Sequence, residues 1–359
     1  MDFQYDLAMD GSEYQFLFRP PHSPSSEISA IGSSFGVIPA QSVSPQPTGP
    51  GGGSRHGALS DDWKVANAEN LGLSGDMDPY LLQRYKADIA GVFKFKQLAI
   101  HAVQETPVPI QFLVSQPSLF SQSREETGHV PASQEELRFE LEQIVSIEMG
   151  HRLIDLFDRF VAPQYPIFAR HDVPNPSLTP PHLLGAIYSI AFPFSMYDDK
   201  LCIDLAYDTL PYPALSRLIN QGLAGELYSP SLAGVQTLLL LVARPSSNYL
   251  ISDASYRWTT LGLLVASAVN LGLHLDPSNW NVKPWQVALR RRLSFIIYAL
   301  DRWLAASLGR PPHIDQANWL VTSVEMTDNL DSGLSADQWV NMLDFSALTS
   351  VLTTTLSKL

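Results

Sequence analysis

From Ser133 to Leu356 the apolar residues of this chain recur every three or four positions, and no stretch alternates apolar and polar residues between hairpin turns. That period commits the chain to helices. Ser133-x-x-Glu136 reads as a capping box opening one long helix. Its apolar positions run through Leu137, Leu141, Met149, Leu153 and Phe157 to Phe160, and Pro163 and Pro166 close it. Further helices are expected over 181–192, 201–209, 214–220, 231–243, 253–271, 284–308 and 336–356. The expected fold class is all-α, an irregular multi-helix domain occupying residues 133–359.

The chain upstream reads differently. Residues 1–60 hold eleven Ser, eight Gly and seven Pro, too little apolar surface to offset a backbone ordering cost of roughly 1–2 kcal/mol per residue. A disordered tail is expected, ending in a flexible linker over 45–57. Within its first eighteen residues Asp2, Asp6, Asp10 and Glu13 interleave with Phe3, Tyr5, Leu7, Tyr14, Phe16 and Phe18. That acidic–aromatic composition marks a candidate activation segment. Residues 61–132 read as a semi-ordered linker region: a short helix over 79–95, an extended edge or loop over 108–114 because of Pro109, and a Pro/Ser-rich close over 116–132.

Composition narrows the function classes. Lys and Arg number 23 against 36 Asp and Glu, a formal charge of −13, whereas a free nucleic-acid binder shows a basic stripe. Cys202 is the only cysteine, so one chain can form neither a disulfide framework nor a thiolate-rich metal site. It is read as a small buried hydrophobe. The acidic N-terminus lacks the order of a signal peptide, and the nearly apolar stretch 261–275 is too short and too polar to span a bilayer. A soluble intracellular protein without catalytic groups is expected. Gly32-Ser33-Ser34-Phe35-Gly36 matches a nucleophile elbow by letter alone, without strand or helix around it. His151, His171 and His182 have no metal-ligand spacing.

Two neighbouring segments carry the specific signal. Tyr256 to Ser278 ends in Leu271-Gly272-Leu273-His274-Leu275-Asp276-Pro277-Ser278, with Gly272 where a left-handed C-cap belongs and His274 expected to hydrogen-bond beside it. Pro284 to Pro312 contains Arg290-Arg291-Arg292, Asp301-Arg302 and Leu308-Gly309-Arg310-Pro311-Pro312. At about 100° per residue, Leu289, Leu293, Ile296, Ile297, Leu300 and Leu304 form one stripe. Ile296 then faces the core, Arg291 points to solvent so that its replacement by Asp is nearly silent, and Arg290 and Arg292 flank the stripe as a solvated helix face with salt bridges. Asp301 has no base three or four positions away, and Arg310, returned by the turn at Gly309, is its expected partner.

These motifs resemble the middle regulatory domain of fungal zinc-cluster transcription factors, in which a six-cysteine binuclear cluster precedes a xylanolytic-activator type domain. GLHLDPS, RRRLSFIIYALDR and LGRPPHI carry the resemblance, with Pro181-His182-Leu183-Leu184 and the run from Ser231 to Leu241 fitting its earlier helices. It covers roughly residues 135–325. The run Asn70 to Leu82 resembles the nitrogen-catabolism co-activator branch (TamA-like). The resemblance implies a nuclear protein that regulates transcription by RNA polymerase II through the transcription machinery or another transcription factor, with self-association left open and no membrane. It also implies that Gly272, His274, Asp276, Arg290, Arg291, Arg292, Asp301, Arg302, Gly309, Arg310 and Pro311 are motif residues of structural or regulatory role.

The departures from the family also carry expectations. DNA and zinc binding belong to the family's six-cysteine cluster, which one cysteine cannot supply, so this chain is expected to hold no cofactor and to reach DNA only indirectly. Ser294-Phe295 stands where the family usually has a Trp pair. The family domain runs past the equivalent of Leu359, so the helical domain reads as C-terminally incomplete. The rival reading is an all-α small-molecule-binding protein or enzyme with an internal pocket.

Overall fold

The computed structural model describes residues 67–72, 92–95, 98–104, 106, 108–115, 117–129, 132–205, 212–245, 253–321 and 323–358, all within the compact unit Ser54–Leu359. The tail, the candidate activation segment and most of the helix expected over 79–95 lie outside the described residues.

The all-helical class is borne out. Among the described residues the helices are α1 (Pro117–Glu126), α2 (Gln134–Ile144), α3 (Ile147–Phe160), α4 (Pro181–Ala191), α5 (Leu201–Asp204), α6 (Tyr212–Glu226), α7 (Leu232–Ala243), α8 (Ala254–Asn270), α9 (Pro284–Leu308) and α10 (Ala336–Leu356). The bounds of α7 to α10 lie within a residue of those read from the periodicity. Their ends have local causes. Ser231 caps α7 by accepting from Gly234 N at 3.0 Å, and Ser335 caps α10 from Gln338 N at 3.2 Å. Gly272, two residues beyond α8, and Gly309, at the end of α9, both take positive φ, 67° and 61°.

Three boundaries differ from the sequence reading. The single helix expected from Ser133 is two, because Ser146 breaks it and caps α3 by accepting from Met149 N at 3.3 Å. Ser133 does occupy the N-cap of α2, but its side chain makes no capping hydrogen bond. Helix α6 runs past Asn220 to Glu226, and Gly222 within it packs closely on α4: a Cβ there would lie 2.7 Å from His182 Cβ. The short α1, starting on a proline, replaces the loop expected after Gln116.

A four-stranded antiparallel sheet, which the sequence reading lacked, stands beside the helices. Its strands are β1 (Asn67–Leu71), β2 (Val92–Phe95), β3 (Leu98–Gln104) and β4 (Ile110–Ser115), in the order β1-β4-β3-β2. Val92–Phe95 pairs with β3 instead of ending a helix. Pro109 precedes the central strand β4 and removes no ladder donor from it, so it does not confine the segment to an edge. Ala68, Ile110 and Phe112 form a small core with Val103 and Trp280. A bulge lies between Ala102 and Gln104, and the Val103 carbonyl there accepts from Asn281 N at 2.9 Å.

The main core centres on α4 and α9. Every residue of α4 is buried, and Gly185 lets it approach α6 so closely that a Cβ would lie 2.9 Å from Ile219. In α9 the stripe is as expected, with Ile296 at 1% exposure. Yet every residue from Ala288 to Ala299 is buried. Such a helix has no outward face.

Gly272 and Gly309 share a left-handed backbone but not their surroundings. A Cβ on Gly272 would lie 2.9 Å from Phe112 Cζ, and one on Gly309 would meet nothing within 4 Å. Gly309→Ala should cost about 1–2 kcal/mol for the backbone alone. Gly272→Ala adds an overpacking cost of about 1–3 kcal/mol. Urea unfolding of both variants checks this; equal losses would mean that the sheet does not press on the α8 terminus.

Candidate functional site

The three consecutive arginines of α9 face three directions of the interior. Arg290 donates from Nη1 to the Leu271 carbonyl at 2.9 Å, and its guanidinium lies 5.0 Å from the Trp280 ring centroid and 6.0 Å from that of Phe112. It therefore ties the α8 terminus to the small core under the sheet. Arg292, 1% exposed, donates to four carbonyls: Pro166 at 3.1 Å, Phe168 at 3.1 Å, Asp328 at 2.9 Å and Leu330 at 2.9 Å. Burial lowers both guanidinium pKa values to about 10, so both remain cationic at neutral pH.

Arg291 is not on a solvated face. Its Nε donates to both oxygens of Asp328, at 2.9 and 3.0 Å, and its Nη1 to Asp276 Oδ1 at 3.1 Å. Glu325 Oε1 stands 3.8 Å from Nη2, and the Ser323 carbonyl accepts at 3.3 Å. Burial opposes ionisation of Asp276, yet Ser278 and Arg291 together hold its carboxyl below the usual range. The angular reading placed Arg291 opposite the aliphatic stripe correctly. It assumed solvent there, where the 323–328 segment in fact covers the helix.

Asp301 finds its partner in the returning turn, though not in Arg310. Its carboxylate accepts from the backbone amides of His313 at 2.8 Å and Ile314 at 3.2 Å. Burial raises its pKa against the pull of those two amides. The neighbouring Arg302 donates to the Ile314 carbonyl at 2.7 Å and lies 4.7 Å from the Tyr298 ring centroid. Arg310 instead lies over Trp258 at 5.4 Å, and His313 packs on the same indole at 4.1 Å. The turn through Gly309, Pro311 and Pro312 delivers backbone donors to Asp301 rather than a cation.

Two further expectations are corrected. His274 makes no C-cap hydrogen bond through its ring: Nδ1 is buried without a partner, and the residue contributes its carbonyl to Leu320 N at 2.8 Å. Cys202 is exposed, because α5 is a single short turn on the surface. In place of the family's usual Trp pair, the Ser294 hydroxyl accepts from Trp319 Nε1 at 3.0 Å and donates to the Val321 carbonyl, while Phe295 fills the core.

Away from the arginines, His182 on α4 is 1% exposed with neither ring nitrogen hydrogen-bonded; its Nε2 lies 3.8 Å from Glu226 Oε1. Burial lowers the His182 pKa to about 4 and raises that of Glu226. Among the described residues no cluster of three or more His, Cys, Asp or Glu side chains could hold a metal ion, and no helix is long and apolar enough to cross a membrane. One exposed thiol does not fit a binuclear zinc cluster.

This site locks the 161–170, 271–280 and 323–331 segments to one helix through charge-assisted hydrogen bonds. It carries no nucleophile with an adjacent base. The model of the fungal specific transcription factor domain matches residues 154–359, well over half of the chain and all of the motifs around α9. The chain belongs to this family. Its relatives are regulators of transcription, not enzymes. Transcriptional activator protein DAL81 of Saccharomyces cerevisiae is 26% identical over 208 residues, 55% of this chain and 20% of that protein. The transcriptional regulatory protein C25B8.11 of Schizosaccharomyces pombe is 23% identical over 290 residues, 77% of this chain and 42% of its own length. The C6 finger domain transcription factor hasF of Aspergillus fumigatus is 34% identical over 139 residues, 37% and 18% of the two chains. The chain thus spans less than half the length of each. No solved structure matches it.

Sequence reading missed Asp328 as the partner of Arg291, since a lone acid 37 positions away carries no spacing signal. Arg291→Asp should cost about 3–5 kcal/mol, as does removal of one partner from a buried pair. A double-mutant cycle with Arg291→Gln and Asp328→Asn should show coupling of about 1–3 kcal/mol by urea unfolding. A silent Arg291→Asp would place this side chain in solvent after all.

His182 predicts a pH dependence of known sign. Folded His182 stays neutral down to about pH 4, whereas the free imidazole protonates near 6.5, so its stabilisation is complete above 6.5 and is lost as pH falls. Between pH 7 and 5 the loss should be about 2 kcal/mol. The raised Glu226 pKa has the opposite sign, stability rising as pH falls. Urea unfolding of wild type and His182→Gln at both pH values isolates the histidine: the variant should lose less on acidification, and parallel pH profiles would contradict the assignment.

Proposed function

We propose that this chain is the regulatory part of a fungal transcription factor that controls RNA polymerase II transcription in the nucleus through protein partners and an effector, without itself reading DNA. The observation that carries this reading is the internal use of Arg290, Arg291 and Arg292. The one run of three basic residues in the sequence is spent on carbonyls, carboxylates and aromatic rings, so that run offers no basic stripe to a phosphate backbone. The net charge of −13 repels phosphate at long range. Zinc and base recognition belong to the family's six-cysteine cluster, which these residues do not supply.

The acidic–aromatic segment at Phe3, Tyr5, Leu7, Tyr14, Phe16 and Phe18 is the surface we assign to partner recruitment, from its composition. Placement in the nitrogen-catabolism co-activator branch (TamA-like) rests on the run Asn70 to Leu82. A fusion of the chain to a heterologous DNA-binding domain tests the regulatory role: reporter transcription should change, and change less when residues 1–18 are removed. A fusion that leaves the reporter unaltered would oppose the reading. In parallel, the purified chain titrated against promoter DNA with excess competitor should show no competitor-resistant binding at physiological salt. Such binding would mean that a DNA-reading surface exists in this chain.

A further inference from the structure

The C-terminal end of α1 is fastened to the helical core by polar and ring contacts. Arg124 Nη2 donates to the Gly225 carbonyl at 3.1 Å and to Ser229 Oγ at 2.9 Å. Thr127 Oγ1 donates to the Tyr228 hydroxyl at 2.9 Å, and the His129 ring stacks on Tyr228 at 5.1 Å. Those partners all lie in the last turn of α6 or just beyond it. Strand β4 ends at Ser115 and α1 starts at Pro117, so this grip is where the chain leaving the sheet is tied to the helices.

Glu226, in the same turn, faces three elements. Its Oε2 accepts from Ser231 N at 2.9 Å, at the start of α7. The Arg124 charge of α1 acts on its carboxylate. Its Oε1 stands 3.8 Å from His182 Nε2 of α4, too far for a hydrogen bond. Two glycines bring the helices close around the pair: a Cβ on Gly234 would lie 2.6 Å from Glu226 Oε2, and one on Gly222 2.7 Å from His182 Cβ.

We propose that Glu226 is a proton-operated catch for α1: ionised, it holds Arg124 and keeps the helix seated; protonated, it gives its Oε1–H to His182 Nε2 and lets the helix lift. The two states exchange one attraction for another. A proton on the carboxylate ends its pull on the guanidinium. His182 supplies the replacement, since both of its ring nitrogens are buried without a partner and a buried acceptor left unpaired is costly. With the ring proton on Nδ1, Nε2 accepts once the 3.8 Å gap closes to about 2.7–3.0 Å.

The sign follows from the surroundings. Burial raises the Glu226 carboxyl above its usual range, against the Ser231 hydrogen bonds and the Arg124 charge. The catch is therefore set at neutral pH and released as pH falls through that raised range. His182 stays neutral to about pH 4, so it is still an acceptor at pH 5. The other titratable groups at the junction are His129 and Tyr228, stacked on each other, and Glu125 and Glu126 of α1, both exposed.

Hydrogen exchange of residues 117–129 in the full chain tests this, read by mass spectrometry at pH 7 and pH 5 with labelling times scaled to the intrinsic rate. In the wild type this segment should exchange up to about ten-fold faster at pH 5, the change that follows if seating α1 moves the Glu226 pKa by one unit. Helix α4, as internal reference, should stay protected. Glu226→Gln, uncharged at both pH values, should exchange fast at both. Arg124→Gln should do the same, and it keeps the test decisive if the Glu226 variant does not fold. The ring ¹⁵N resonance of His182 Nε2 should move over the same pH interval while remaining that of a neutral imidazole. Wild-type exchange that ignores pH overturns the proposal, as does a pH dependence that survives in either variant or a His182 resonance that stays fixed while α1 is released.

Discussion

A helix stretch buried on all sides must satisfy every polar group it carries inside the protein, and α9 has five buried charged residues in all, three of them within that stretch. The structure meets that constraint with length. Arginine arms reach past the aliphatic layer to backbone carbonyls and carboxylates supplied by segments that have little regular structure of their own. The 161–170 and 323–331 segments keep their shapes because Arg292 and Arg291 occupy their inward-facing acceptors. The dependence is mutual. Without those acceptors the guanidinium groups would be buried without partners, at a cost of several kcal/mol each.

The same economy appears at the two ends of the neighbouring turns. Asp301 uses the amides of His313 and Ile314, and Arg290 uses the last carbonyl of the α8 region while stacking on Trp280. In each case backbone dipoles hold the charge, and at Asp301 the Arg302 guanidinium stands 3.9 Å away as well. That arrangement fixes chain geometry more tightly than an ion pair does, because backbone groups have no rotamers to change. It also explains how the sheet and the helices cohere. Phe112 enters from β4, Trp280 from the turn before α9, and the guanidinium of Arg290 lies against both.

Much of this fold was legible from residue spacing alone. The bounds of α7 to α10, the glycine terminators and the aliphatic stripe of α9 follow from local rules, because each depends on neighbours within one or two turns. What was not legible depends on what lies across from a surface. Arg291 sits opposite the stripe, as its angle requires, but periodicity cannot say whether that side meets water or Asp328. Asp301 was recognised as lacking a local partner, and the turn that supplies one was chosen correctly; the donor proved to be backbone, which leaves no trace in side-chain identity. The sheet escaped notice because β1 and β2 are short and because Pro109 suggested an edge where it only precedes a strand.

The reach of Arg292 also bears on how the chain is made. Its bonds to the Pro166 and Phe168 carbonyls span 126 and 124 residues. A ribosome adding about 5–20 residues per second delivers that arginine roughly 6–25 seconds after the segment it stabilises. During that interval α4, α6, α7 and α8 are added to α2 and α3, with apolar surfaces that α9 will later cover. The nascent chain therefore passes through a period in which a growing helical core lacks its central member. A chaperone that shields exposed aliphatic helices would act most usefully in that window.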